Sequence, residues 1–369
     1  MKRILVTGSA GFIGRNLVTA LRRMEGVEIL TQDLTDSADE LKEKVLAADL
    51  IYHLAGVNRP DNDDEFAEVN LGLTETLTSI LREAKHSAAI VITSSAQATR
   101  DNPYGRSKKA AEDHLKAFSE STGNRVAIYR LPGVFGKWSR PNYNTVVATF
   151  CHNIARDLPI QVSNPDHSLN LVYIDEVVRC FLRHVDPDFV WAIEESVQET
   201  HDITLGDLTD RIRSFRYMRE TLLVPDVADS MTRYLYTTYL SFLPEEDFAY
   251  PVKLRTDDRG WLFELAKSKT FGQIFVSTTK PGITRGNHFH DTKVEKFCLI
   301  QGQGMIRFRD IDSTEVIEYP VDDGQIKIVD IPPGYTHSIE NTGDREMVVL
   351  FWANEIFDPE SPDTHWMEV

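Results

Sequence analysis

Two histidines one residue apart, a glutamate soon after and a third histidine further along, His288, His290, Glu295 and His337, offer three imidazole nitrogens and one carboxylate oxygen. Strand side chains alternate between faces, so His288 and His290 point the same way. The turn Asp291-Thr292-Lys293 reverses the chain and brings Glu295 to the start of the next strand, while Pro332 and Gly334 in PPGYTHSIEN make a turn that delivers His337. This donor set is borderline hard. It suits zinc, iron, manganese or nickel and leaves a coordination position for a substrate oxygen.

A second set of reactive residues lies far upstream. Ser94 and Ser95 end an apolar run, and Tyr104 and Lys108 follow in NPYGRSKKAAE. A four-residue spacing on a helix puts Tyr104 and Lys108 on one face. An ammonium close to a phenol favours the phenolate, so Tyr104 can exchange a proton with a sugar or alcohol oxygen near neutral pH while Ser95 hydrogen-bonds that oxygen. Nearer the N-terminus, Gly8, Gly11 and Gly14 follow the run Ile4 to Val6 directly and open a helical pattern. Glycines at that junction let the backbone approach a pyrophosphate at the positive end of the helix, a signature of dinucleotide binding.

These groups need two kinds of scaffold. Up to about Leu131, short apolar runs alternate with helical patterns: 3–7 then 14–23, 50–55 then 65–84, 88–94 then 104–120. That rhythm predicts a doubly wound parallel α/β sheet of the Rossmann type. Less regular, partly helical sequence continues to residue 243. The segment LPEEDFAYP, prolines around an acidic centre, reads as a linker over 244–251. Beyond it, GWLFELA, QIFVSTT, KFCLI, MIRF, IKIVDI and MVVLFWA are short, rich in Val, Ile and Phe, and separated by Gly, Pro and Asp turns. They predict an all-β barrel or sandwich over 252–369.

Composition narrows the function. The 369 residues suit about two domains. With 57 acidic and 40 basic residues, a net charge of −17 and no compensating basic run, nucleic acid is excluded as a partner. Cys151, Cys180 and Cys298 are odd in number and far apart, which fits a reducing cytoplasm rather than a disulfide framework. No apolar run has the length of a membrane span, so no membrane insertion is expected.

In TGSAGFIG, HLAG at 53–56, ITSSA, YGRSK and YIDEVV at 173–178, the first part of the chain resembles an extended short-chain dehydrogenase/reductase. The resemblance implies Ser95, Tyr104 and Lys108 as catalytic residues. It places the cofactor against Gly8, Gly11, Phe12, Ile13, Gly14 and Arg15, against Leu54, Ala55 and Gly56, and against Tyr104 and Lys108 themselves. The stretch between Gly26 and Asp36 is too short for the family's usual second and third strands, so Asp33 resembles the adenine-contacting aspartate. With no ribose-binding acid and with Arg15 beside the last glycine, NADPH is the expected cofactor. Ala96 and Gln97 follow Ser95 where sugar-nucleotide dehydratases of the family carry an acidic pair, which leaves carbonyl reduction or 4-epimerisation.

The last 120 or so residues resemble the cupins: Gly282, His288, His290, Glu295 and Gly302 stand at the spacing of their first motif, and Pro332, Gly334, His337 and Asn341 at that of the second. Three histidines and a glutamate holding one divalent metal, zinc first, are what this resemblance implies. DDRGWLFEL at 257–265 is similar to the opening of cupin-type deoxysugar epimerases. A reductase joined to a metal-bearing cupin resembles the bifunctional capsular polysaccharide enzymes. The implied substrate is a UDP-linked 2-acetamido-2,6-dideoxy-4-hexulose, epimerised at carbon 3 by the cupin and reduced at carbon 4 by the N-terminal domain. The product is the UDP-6-deoxy-L-talosamine derivative on the route to N-acetyl-L-fucosamine, made by a cytoplasmic homodimer. A metal beside the carbon-4 ketone stabilises the enolate left when the carbon-3 proton departs. Lys296, Tyr335 and Glu264 are candidate bases. The alternative is a single-function 4-reductase or 4-epimerase whose cupin is a metal-stabilised binding or dimerisation module.

Overall fold

The structure is a computed structural model and describes residues 1–58, 62, 65–143 and 145–369. The chain divides into two compact units, one of 1–213 with 234–244, the other of 214–233 with 245–369.

In the first unit, β1 (Lys2–Thr7), β2 (Val27–Gln32), β3 (Leu50–His53), β4 (Ala89–Ser95), β5 (Val126–Leu131) and later β8 (Glu194–Glu195) form one parallel sheet in the order β2-β1-β3-β4-β5-β8. Between them run α1 (Phe12–Leu21), α2 (Ala38–Ala47), α3 (Gly72–Glu83) and α4 (Pro103–Thr122). β6 (Gly133–Phe135), β7 (Ser168–Tyr173) and β9 (His201–Thr204) make a small second sheet, with α5 (Val146–Ala155) and α6 (Ile174–Leu182) between its strands. Leu5, Ile51, Ile90, Ile92 and Ile128 of the strands pack on Leu77, Leu81, Leu115 and Phe118 of the helices. The strand order reverses direction at β1 and β3, and at such a switch point the carboxyl ends of the strands open a ligand crevice.

Two expectations change here. The stretch after Gly26 does hold a full strand, β2, and a helix, α2, that begins on a Ser37–Glu40 capping box. The domain division expected at 243/252 also differs. Residues 214–233 go with the second unit because Leu222 and Val224 exchange main-chain hydrogen bonds with Lys267, each 2.7 Å. This excursion begins within α7 (Leu205–Thr221) and ends within α8 (Ser230–Leu240).

The second unit has two antiparallel sheets. β10 (Arg255–Asp257), β11 (Gly260–Ser268), β12 (Gly272–Thr279), β14 (Glu295–Gln301), β17 (Ile328–Ile331) and β19 (Met347–Ala353) lie in the order β10-β11-β12-β19-β14-β17. The other sheet runs β16-β15-β18-β13-β20, from β13 (Thr284–Phe289), β15 (Gln303–Asp310), β16 (Val316–Asp322), β18 (Tyr335–Asn341) and β20 (His365–Trp366). Phe297, Leu299, Ile306, Phe308, Ile339, Val349 and Phe351 fill the core between them. No helix of the described residues is long and apolar enough to cross a membrane.

Candidate active site and metal centre

β1 ends in Gly8, which takes φ +70° and lies so near the HLAG turn that a Cβ there would stand 2.8 Å from Ala55 Cα. Leu54 N donates to Thr7 O at 3.2 Å, fixing the two turns side by side. Gly11 caps α1 without any side-chain hydrogen bond, so the N–H groups of the first turn, Phe12, Ile13 and Gly14, face an open helix terminus suited to a pyrophosphate.

Asp33 follows β2 immediately. Its carboxylate accepts from Ala10 N at 3.0 Å and from the Ser9 hydroxyl, both in the glycine-rich turn. This is the position from which an acid in dinucleotide-binding folds reaches the ribose 2′-hydroxyl. Arg15 lies over the Trp138 ring, 4.2 Å from its centroid. Asp33 is thus seated against the glycine-rich turn, and the arginine is stacked on an indole.

α4 begins on Asn102, whose side chain accepts from Gly105 N at 2.7 Å, with Pro103 in the first turn. Tyr104 is thereby held in the first turn and Lys108 one turn on. Tyr104 is half-buried, packs on Phe66 with centroids 5.5 Å apart, and lies near enough to Ser95 at the end of β4 for the serine to influence its phenol. Lys108 is buried and donates to Thr93 O at 3.2 Å. A Cβ on Gly56 would stand 3.1 Å from its Nζ, so the HLAG turn and the lysine share one small space.

The electrostatics differ from expectation. Burial raises the Tyr104 phenol above its ordinary value, and Ser95 is what opposes the rise. Lys108 itself is lowered to about 8 by burial, against the attraction of Glu112. In this structure the lysine does not lower the phenol; Ser95 does.

Glu112, Asn70 and Ser107 had no role in the reading of the sequence. Fully buried Glu112 accepts from Ser94 Oγ at 2.5 Å and from Arg130 Nε at 2.9 Å and Nη2 at 2.5 Å. Asn70 bridges both main-chain groups of Val57 and Ser107 Oγ, each at 3.0 Å. Glu112 follows Tyr104 and Lys108 at successive four-residue steps, a helical-face signal that was present in the sequence.

In the second unit all four expected metal ligands meet. His288 closes β13 opposite His337 of β18, His290 lies just past the strand, and Glu295 begins β14. Their ligand atoms lie within 4.8 Å of one another. Glu295 Oε2 is 3.3 Å from His290 Nε2 and 3.7 Å from His337 Nε2. Those two buried nitrogens have no hydrogen-bond partner. His290 Nδ1 meets the Asp363 carbonyl at 2.5 Å and His337 Nδ1 the Tyr335 carbonyl at 3.4 Å, so both Nε2 lone pairs turn inward. Burial, then repulsion from His337 and His290, lowers His288 to about 4 and keeps it neutral at physiological pH. Burial opposes ionisation of Glu295, but contact with His290 and His337 outweighs it and holds the carboxyl well below the usual range. A neutral His288, an ionised Glu295 and the unpartnered buried nitrogens of His290 and His337 fit a divalent metal, zinc included.

Of the candidate bases, Lys296 alternates away from Glu295 and pairs with exposed Asp330. Glu264 is tied to Lys267 at 2.9 Å and Arg255 at 3.6 Å. Tyr335 shares a strand face with His337 and borders a cavity of 540 Å³ with Phe308, Ile317, Tyr319 and Ile328.

Residues 4–189 match the NAD dependent epimerase/dehydratase family, and residues 255–365 match the polysaccharide biosynthesis C-terminal domain. The sequence is 45% identical over 363 residues to UDP-2-acetamido-2,6-beta-L-arabino-hexul-4-ose reductase of Pseudomonas aeruginosa, covering 98% of each chain. The capsular polysaccharide assembling protein CapF from Staphylococcus aureus matches with a TM-score of 0.93 and 43% identity, over 99% of this chain and 100% of that one. A structure of CapF with the inhibitor 3-isopropenyl-tropolone matches at 0.88 and 38%, over 100% of both chains. The chain belongs to the NAD dependent epimerase/dehydratase family and, over its full length, to the same family as the Pseudomonas reductase and CapF.

Proposed function

We propose that this protein reduces the carbon-4 ketone of a UDP-linked 2-acetamido-2,6-dideoxy-4-hexulose at Ser95, Tyr104 and Lys108, after epimerisation at carbon 3 in the metal-bearing cupin. The product is the UDP-6-deoxy-L-talosamine derivative, a precursor of N-acetyl-L-fucosamine for surface polysaccharide. The reductive half is supported by the half-buried Tyr104 phenol on α4, with buried Lys108 one turn on against the HLAG turn, and the Pseudomonas relative is named for reduction of such a ketone. The epimerising half is supported by the unpartnered Nε2 atoms of His290 and His337. Tropolones chelate divalent metals through two adjacent oxygens, so the inhibitor of CapF points the same way.

The nicotinamide supplies the hydride when bound. Tyr104 holds the proton that the carbon-4 oxygen receives, and burial keeps that proton on the phenol at neutral pH. Ser95 orients the phenol and hydrogen-bonds the same oxygen. Lys108, charged below about pH 8, anchors the ribose side of the cofactor space beside Gly56. With Asp33 at the end of β2 we favour NADH over the NADPH expected from sequence.

In the cupin, the ion supplies Lewis acidity toward a carbonyl oxygen when bound. His288, His290, Glu295 and His337 would hold it, and of the candidate bases we assign the carbon-3 proton exchange to Tyr335, two residues before His337 on β18. Exposed Ile317, Tyr319 and Ile328 on edge strands β16 and β17 supply apolar area for the expected cytoplasmic homodimer.

The test is isotopic. Enzyme, zinc and the 4-keto sugar in deuterated water, without nicotinamide, should place deuterium at carbon 3, and the finished alcohol should take up none. If reduction proceeds but no label enters the ketone, the cupin is a binding module and the protein a single-function reductase.

A further inference from the structure

The segment 363–367 lies 70 or more residues along the chain from the ligand loop, yet it touches the surroundings of every expected metal ligand. The Asp363 carbonyl accepts from His290 Nδ1 at 2.5 Å. Its carboxylate accepts from Asp291 N at 2.8 Å through Oδ1, and from Thr292 N at 2.8 Å, Thr292 Oγ1 at 3.0 Å and Lys293 N at 2.7 Å through Oδ2. Those three amides belong to three of the four residues between His290 and Glu295; the fourth, Val294, donates to Asn354 Oδ1 at 3.0 Å. Thr364 Oγ1 accepts from buried Lys293 Nζ at 3.0 Å, and that ammonium lies 3.9 Å from Glu295 Oε1. Trp366 pairs with His288 in the β13–β20 ladder, and Met367 O accepts from Thr336 Oγ1, next to His337.

A single carboxylate accepting four hydrogen bonds from one turn is a geometric clamp, and charge-assisted bonds of this kind are about twice as strong as neutral ones. Main-chain acceptance from Nδ1 fixes the tautomer that leaves Nε2 free, and a metal-binding histidine needs this outer partner. We infer that Asp363 is a positioning residue of the metal centre: it sets the His290 ring and the His290–Glu295 separation, so that segment 363–367 is part of the centre although it contributes no ligand. This rests on the metal reading above.

Titrating the full chain with zinc against a chelating dye, and with cobalt for its ligand-field spectrum, tests both readings separately. A wild type that takes up neither ion would sink the metal reading itself. If the wild type binds, Asp363→Ala, which keeps the carbonyl on His290 but releases the turn, should weaken zinc about 10-fold, the lower end of outer-partner losses, and should change the cobalt spectrum. Asp363→Asn keeps one acceptor oxygen and should recover part of both. A cooperative thermal transition of the second unit, measured without metal, reports that the variants are folded; should Asp363→Ala fail that check, Asp363→Asn alone decides. A folded variant with zinc affinity within twofold of wild type and an unchanged cobalt spectrum overturns the proposal.

Discussion

Ser94 donates its hydroxyl to Glu112 across 2.5 Å, one residue before the serine that meets Tyr104. The same carboxylate holds Arg130 on β5, so the end of β4, the middle of α4 and β5 are joined through one buried group. Ser95 and Tyr104 come from different elements, and this network fixes their distance. Arg130 is 34% exposed and can turn to water, so removing Glu112 forfeits hydrogen bonds to a charged group, about 1.5–3 kcal/mol, rather than stranding a buried charge. Glu112→Ala should therefore lower the stability of the first unit by an amount of that order, read from its urea midpoint, with reduction falling in parallel. An unchanged midpoint would show that Arg130 and Ser94 find other partners.

Tyr104→Phe removes the proton source and leaves the ring against Phe66. Reduction of the 4-keto sugar should fall at least ~100-fold, the scale of a general acid's contribution. Deuterium exchange at carbon 3 should continue, because Tyr104 lies outside the second unit. Near-normal reduction would remove Tyr104 from the proposed chemistry.

Asp33 predicts cofactor choice. A carboxylate at the ribose 2′ position accepts its hydroxyl and repels a 2′-phosphate, so wild type should bind NADH at least ~10-fold more tightly than NADPH. Asp33→Asn should narrow the gap, chiefly by improving NADPH. Fluorescence titration of both nucleotides measures it, and tighter binding of NADPH by the wild type would refute the assignment.

His337→Ala takes away a fully buried ligand. Bound zinc per chain should drop to the level of a chelator-treated sample, and the thermal transition of the second unit should lose its zinc dependence. Metal analysis after dialysis checks it; full retention of zinc would exclude His337 as a ligand.

Two buried histidines of the first unit give a pH signature. Burial lowers His53 to about 3, with repulsion from Lys108 adding to it; burial lowers His184 to about 4, helped by Arg183, Lys2 and Arg125. Both folded values lie below the unfolded value near 6.5. Their contribution is thus complete above about pH 6.5 and is lost as pH falls toward 4, at about 1.4 kcal/mol per pH unit for each histidine. Urea unfolding at pH 7 and pH 5, followed through Trp191 on the His184 ring, should show the loss, and His53→Asn should reduce the slope. A flat profile would mean these rings are protonated in the fold.

Much of this was readable in the sequence because it depends on local periodicity. Gly8 to Gly14 sit between a strand and a helix, Tyr104 and Lys108 are one turn apart, and the metal residues occur on short strands and turns, so spacing alone gathers them. β2 and β16 were missed for a common reason: both lie at sheet edges, where exposed positions and, in β16, Pro320 dilute the alternation. The phenol's behaviour was misjudged because burial is set by the whole fold, whereas an i, i+4 neighbour is visible in the sequence. Asp363 gave no signal, since nothing near it in sequence reveals that it meets residues 290–293.

That long separation bears on how the protein matures. The hydrogen bond between His290 and Asp363 closes a loop of 73 residues, and such contacts form only after the intervening strands have paled their entropy against nearer pairings. The ligand loop therefore acquires its final shape at the end of folding of the second unit. On the proposed metal reading, ion capture is then a late event that locks in a barrel already built, and ions met earlier would encounter histidines still free to choose other partners.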